Sequence, residues 1–281
     1  MTVPGRADDS PAVDIGTRMT VEFQRIAGFH ELAGGARLSE EAEADLLAVD
    51  TTVFRALRAE MRAVVREAVA QLVESADVRA AVADLPRDLT VACVGDSQTA
   101  GHQSWAEIVT GVLAELRADV RLLNLSKSGD TSMDLVRRLS LALGDEEPAL
   151  YIVFIGANDA CRTVPYAGKM FVSDDETQAN LEKIAEVIRL RGGRIVWVTP
   201  TPPIEDVVTA FPVFRDMGIR YSRSDVAAKA QLVRERPEPT IDLWGSFSDE
   251  RLADLLARDG LHLGPAGHLE VARVLLLEGL R

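Results

Sequence analysis

The sequence predicts an α/β protein of three layers: a parallel sheet covered by helices on both faces, with an α-helical extension in front of it. Three observations carry this. Short apolar runs rich in β-branched residues recur at 90–94, 120–125, 150–155, 194–198 and 240–243. Stretches with helical periodicity separate them, and strands alternating with helices at this spacing pair in parallel. Before residue 86 no strand-like run occurs.

In chain order, residues 1–16 are polar and acidic and read as a disordered tail. They lack the basic region and apolar stretch of a signal peptide. Residues 17–86 form the helical extension. Its clearest element is 52–74, where Phe54, Leu57, Met61, Val64, Val65, Val69 and Leu72 recur at spacings of three and four and make one apolar stripe. Gly34-Gly35 offers a break, Ser39-Glu40-Glu41-Ala42 a helix start, and Pro86-Arg87-Asp88 ends the region. Such a stripe must bury against something: the main domain, the loop at Ser97 as a lid, or a second copy in a homo-oligomer.

Residues 87–281 hold the alternating pattern. The helical stretches are 105–116, 132–143, 176–191, 215–234 with a break near Ser222, and 267–280. Ser173, three residues before Glu176, reads as a capping box, and Gly192-Gly193 stops the helix that Leu181, Ile184, Ala185 and Ile188 anchor.

The chain of 281 residues carries a net charge of −13 with 47% hydrophobic residues. That balance gives a substantial core and argues against nucleic acid and anionic membrane surfaces, both of which require basic patches. No apolar run is long enough to span a bilayer. Two cysteines do not make a disulfide framework, so a reduced, cytoplasmic protein is expected. Cys93 lies inside a strand and should be buried; Cys161 follows a loop motif and should be accessible.

In open α/β sheets ligands bind beyond the carboxyl ends of the strands. Gly95-Asp96-Ser97 follows the first run, and Asn124-Leu125-Ser126-Lys127-Ser128-Gly129 closes the second. Gly156-Ala157-Asn158-Asp159 follows the third, and a connector after the fifth leads to Asp259-Gly260-Leu261-His262. A serine hydroxyl needs an imidazole to take its proton, and the imidazole needs a carboxylate to fix its tautomer. Ser97, His262 and Asp259 supply the three. The backbone N–H groups of Ser97 and Gly129 and the side-chain amide of Asn158 are candidate donors to an oxyanion.

These four blocks, in this order, resemble the SGNH (GDSL-type) hydrolase superfamily, whose name lists a serine, a glycine, an asparagine and a histidine. Here they map onto Ser97, Gly129, Asn158 and His262, and the resemblance covers about residues 89–281. It implies a flavodoxin-like sheet, ester or thioester hydrolysis through an acyl-enzyme, and no need for a metal or cofactor. Gln98 stands where the founding motif has leucine. With Thr199-Pro200-Thr201-Pro202-Pro203 and the stretch from Asp259 to His268, it makes the chain similar to isoamyl-acetate-hydrolysing esterases and related acetylesterases.

The expected partner is therefore a small soluble carboxylic ester, O-acetyl groups on sugars or metabolites included. Two other readings stay open on these residues: an acyltransferase using the same acyl-enzyme, and a non-enzymatic binding module. Among the remaining polar residues, Asp96 and Asp159 are expected to brace their loops. Trp105 is expected in the core and His268 at the surface or in a cap. His102 is a lesser candidate for the pocket border, and His30 has no identifiable partner.

Overall fold

Among the described residues seven strands follow one another: β1 (Thr90–Gly95), β2 (Arg121–Asn124), β3 (Leu150–Phe154), β4 (Arg162–Thr163), β5 (Arg194–Val198), β6 (Ile219–Arg220) and β7 (Thr240–Ile241). The computed structural model describes residues 13–23, 38–164 and 168–280. Five strands pair in parallel in the order β2-β1-β3-β5-β7, and β4 pairs with β6 in a separate antiparallel ribbon.

β3 is buried along its whole length, as a central parallel strand must be when helices cover both faces. The alternation along β1 sorts the two layers. Val91 and Cys93 face one core with helices Trp105–Leu116 and Pro265–Val274. Ala92 and Val94 face the other, with Leu135, Leu139, Ile184, Ile188 and Val233 from helices Ser132–Leu143, Asp174–Leu190 and Arg223–Arg234. At the end of β1, a Cβ on Gly95 would fall 2.1 Å from the Phe154 carbonyl oxygen. Only glycine lets β1 and β3 approach this closely where the chain turns toward Ser97.

The apolar stripe of the extension finds its partners within the chain. Along helix Thr51–Glu74, Ala68, Val69 and Leu72 join the first core, and Gly111 lets the two helices touch: a Cβ there would lie 2.5 Å from Val69. Phe54, Leu57 and Met61 instead form a smaller cluster with Val21 and Ala44, from helices Ile15–Phe23 and Glu40–Leu46. Leu85 and Leu89, on either side of the 86/87 junction, belong to the first core.

Several boundaries differ from expectation. The first helix begins at Ile15, where the Asp14 side chain accepts the Thr17 N–H at 2.9 Å, so the tail boundary at 16 falls late. Residues 1–12 of the expected tail, His30 and Gly34-Gly35 lie outside the described residues. In 215–234 the expected break near Ser222 is present, and it is longer than a kink: Gly218 adopts φ +65°, β6 pairs with β4, and the helix restarts at Arg223 under a Ser222 cap. The expected strand at 240–243 stops at Ile241, because Asp242 turns the chain by accepting the Gly245 N–H. Among the described residues no helix is long and apolar enough to cross a membrane.

Candidate active site

Asp96 leaves β1 and starts a single helical turn, Ser97–Ala100. Its side chain accepts the Gln98 N–H at 3.0 Å, and its carbonyl accepts the N–H groups of Thr99 and Ala100. Burial pushes the Asp96 carboxyl up to about 7. Ser97, the first residue of that turn, keeps an N–H with no intrahelical acceptor.

The Ser97 hydroxyl lies 2.9 Å from His262 Nε2, and His262 Nδ1 lies 2.7 Å from Asp259 Oδ2. The other Asp259 oxygen accepts the N–H groups of Leu261 and His262, each at 2.9 Å. The carboxylate is thus fixed by its own loop, which turns at Gly260 with φ +74°. Burial acts to raise the Asp259 carboxyl, but the charge and hydrogen bond of His262 outweigh it and the pKa falls. Burial acts to lower His262, and the Asp259 carboxylate outweighs it and raises the imidazole. An ionised Asp259 keeps the imidazole proton on Nδ1, so Nε2 turns its lone pair to the Ser97 hydroxyl.

Asn158 opens a short turn after β3, Asn158–Ala160, reached through Gly156 at φ +115°. Its Nδ2 donates to the Asp130 carbonyl at 3.0 Å, and its Oδ1 accepts from the Tyr221 hydroxyl at 2.8 Å. A carbonyl only accepts, so the Asp130 contact settles which end of the amide carries nitrogen. One Nδ2 hydrogen remains unassigned. Gly129, at φ +82° and exposed, is the residue before Asp130, and its N–H has no acceptor among the described residues. The loop is fastened by Arg138, which pairs with the Asp130 carboxylate and donates to the Leu125 carbonyl at 2.6 Å. The structure therefore brings Ser97, His262 and Asp259 into one chain of hydrogen bonds. It joins Asn158 to the Gly129-Asp130 turn at the same sheet edge, with no direct bond between Gly129 and Ser97.

Asp159 braces its loop as expected, accepting from Ser132 N–H at 2.8 Å, from Thr177 Oγ1 at 2.9 Å and from the Ser132 hydroxyl. Trp105 is in the core. Two expectations are corrected. His268 is buried, not at the surface: its Nδ1 accepts the Trp105 N–H at 3.2 Å, and burial lowers its pKa to about 3. It caps a helix, but a different one from its own. Cys161 is fully buried rather than accessible, and burial raises its thiol to about 11. His102 is half-buried, and its N–H donates to the Glu22 carbonyl at 3.0 Å.

Three contributors were not anticipated. Gln98 straps the histidine loop: its Nε2 donates to the Leu261 carbonyl at 3.0 Å and its Oε1 accepts the Leu263 N–H at 2.9 Å. Its signal was the departure from the leucine of the founding motif, which marked the position without giving it this role. Tyr221 orients Asn158 from beyond the β4–β6 ribbon, and Phe23 of the first helix stacks on the His262 ring at 4.2 Å. Neither had a signal in local sequence. Among the described residues no group of three or more His, Cys, Asp or Glu side chains is placed to hold a metal ion.

A family model described as the GDSL-like Lipase/Acylhydrolase family matches residues 93–269, which include every candidate site residue named from the motifs. The chain is 33% identical over 112 residues to "Esterase TesA" of Pseudomonas aeruginosa, which is 38% of this chain and 52% of that protein. It thus spans about half the length of this relative. Among solved structures, the lipase/acylhydrolase from Enterococcus faecalis is similar with a TM-score of 0.56 at 20% identity, covering 68% of this chain and 95% of that one. The acetylxylan esterase Axe2 from Geobacillus stearothermophilus gives 0.53 at 23% identity, covering 69% and 96%. At these identities the two structures share the fold.

Proposed function

The chain belongs to the GDSL-like lipase/acylhydrolase family, and from that membership we propose that it is a serine esterase acting on small carboxylic esters, with O-acetyl groups on sugars or metabolites among its substrates. The observation that carries the reading is the unbroken hydrogen-bond chain from Ser97 through His262 to Asp259. The esterase name of the Pseudomonas aeruginosa relative is consistent with it.

In the first half-reaction the Ser97 oxygen attacks the ester carbonyl carbon while its proton passes to His262 Nε2. The carbonyl oxygen becomes an oxyanion, held by the N–H groups of Ser97 and Gly129 and the remaining Asn158 hydrogen. Each such fixed donor is worth about 2.7–4 kcal/mol to the transition state. The intermediate collapses as the C–O bond to the alcohol breaks and Nε2 returns its proton to the departing oxygen. Water then gives its proton to Nε2 and attacks the acyl-serine, and collapse of the second intermediate releases the acid and restores Ser97.

Hydrolysis of phenyl acetate by the purified full chain tests this. Ser97→Ala is expected to abolish turnover and labelling by a fluorophosphonate, and His262→Ala to be comparably severe. Retained turnover in the Ser97 variant overturns the reading.

A further inference from the structure

Phe23 approaches the site from outside the family-matched residues 93–269. Its ring stacks on the His262 imidazole with centroids 4.2 Å apart and planes 24° from parallel, and Phe214 also lies against that imidazole, tilted by 40° at 6.2 Å. The helix that carries Phe23 is held along its length. Val21 is wholly buried against Phe54, Leu57 and Met61, while Met19 packs on the cluster that contains Phe214, Tyr221 and Leu261. At its end the Glu22 carbonyl accepts the His102 N–H at 3.0 Å, and its carboxylate accepts from Gln103. The Phe23 ring also lies over Gly101, 3.5 Å from where a Cβ would stand. With 6% of its surface exposed, Phe23 is a fixed wall.

That wall stands on the imidazole that the leaving alcohol must meet in the esterase reading. In the esterase reading the alcohol oxygen takes its proton from His262 Nε2, so it comes within hydrogen-bond distance of the imidazole edge. Whatever is attached to that oxygen then runs beside the ring. A phenyl group stacked on the imidazole at contact distance occupies part of that space, and the Ser97 and His262 residues expose only 7% each. We propose that Phe23 is a specificity-determining residue that limits the width of the alcohol half of the ester, so that narrow alcohols leave past His262 and broad ones do not. The inference rests on the esterase reading.

The test compares phenyl acetate with 2-naphthyl acetate, which share the acyl group and differ in the width of the alcohol. Dividing one kcat/KM by the other within each protein cancels general damage to the site. In Phe23→Ala the naphthyl-to-phenyl ratio is expected to rise about tenfold or more over the wild-type chain, since a few missing carbons in an apolar wall discriminate on that scale. Phe23→Leu retains most of the packing and should raise the ratio less; it decides the matter if the alanine variant does not fold. Turnover by the wild-type chain with an unchanged or lowered ratio in the folded variants overturns the inference alone. Equal loss on both esters is such an unchanged ratio and means that Phe23 only supports the fold. No turnover of either ester by the wild-type chain overturns the esterase reading and this inference with it.

Discussion

Replacing Gln98 by glutamate should weaken the protein in a way that acid repairs. The Gln98 carboxamide is 3% exposed and holds the backbone on both sides of His262, donating to Leu261 O at 3.0 Å and accepting from Leu263 N–H at 2.9 Å. Glutamate has the same shape. Ionised, it still accepts from Leu263, but its second oxygen faces the Leu261 carbonyl with no proton between them. An unpaired buried partner costs about 1–3 kcal/mol, and each kcal/mol is worth about 2–4 °C in a domain of some 150–250 residues. A Tm about 2–12 °C below wild type is therefore expected near pH 8. Protonation puts a donor back in the strap.

The sign follows from burial, which raises the folded-state pKa of the introduced carboxyl above its unfolded value of about 4.3. A carboxyl raised in this way disfavours folding while it is charged, so the deficit is full above the folded pKa and shrinks as pH falls toward the unfolded one. Thermal melts of both proteins between about pH 5 and pH 8 measure the gap directly. The wild-type gap over Gln98→Glu should narrow in acid, and turnover of phenyl acetate near pH 8 should fall about tenfold or more as the imidazole loses its placement. A gap that stays constant or widens with acid refutes the strap.

Two further outcomes follow from the same geometry. Tyr221→Phe removes the donor to Asn158 Oδ1 while the Asp130 carbonyl keeps its hold on Nδ2, so the amide loosens without turning over. Complete loss of an oxyanion donor costs about 10²–10³ in kcat. The kcat of this variant should therefore fall by about tenfold with KM unchanged, and a change confined to KM contradicts the orienting role. The pH–rate profile of the wild-type chain should lose activity toward acid with a midpoint above 6.5: burial opposes protonation of His262, but Asp259 outweighs it, aided by Glu22 and Asp96. Because that pKa is raised in the folded state, its stabilising effect is present below the unfolded value and fades as pH rises through the folded one. The limb on which activity appears is then the limb on which this contribution to Tm disappears. A midpoint below 6.5 contradicts the balance of charges around the ring.

Much of this was legible because the pattern and the tertiary structure agree. Helices 105–116 and 132–143 and strand 194–198 have clean periods and lie where those periods place them. The serine and histidine loops could be paired across the chain because parallel strands deliver their carboxyl ends to one edge. What failed was non-local. The break near Ser222 was legible, but not its extent: pairing of β6 with β4 and the left-handed Gly218 take residues 217–222 out of the helix. His268 looks like an exposed position in the first turn of its helix, and only the arrival of Trp105 makes it a buried acceptor. Cys161 lies in a loop by sequence and is covered by Tyr221 and Phe214 in space. The stripe from Phe54 to Leu72 announced that the extension must be buried. That its neighbour, Phe23, should end on the His262 imidazole is a matter of packing between elements, to which periodicity is blind.

The first core carries a consequence for how the protein is made. Val69 and Leu72 cover one side of the sheet jointly with Leu275 and Leu276, which lie about 200 residues further along the chain. During synthesis the first pair emerges about 200 residues before the second, so the flank of β1 and β3 that they share stays greasy and open until Leu275 and Leu276 arrive. The imidazole emerges just ahead of those leucines. A nascent chain thus presents Ser97 without its histidine partner and an adhesive surface together, and both conditions end in the same closing step.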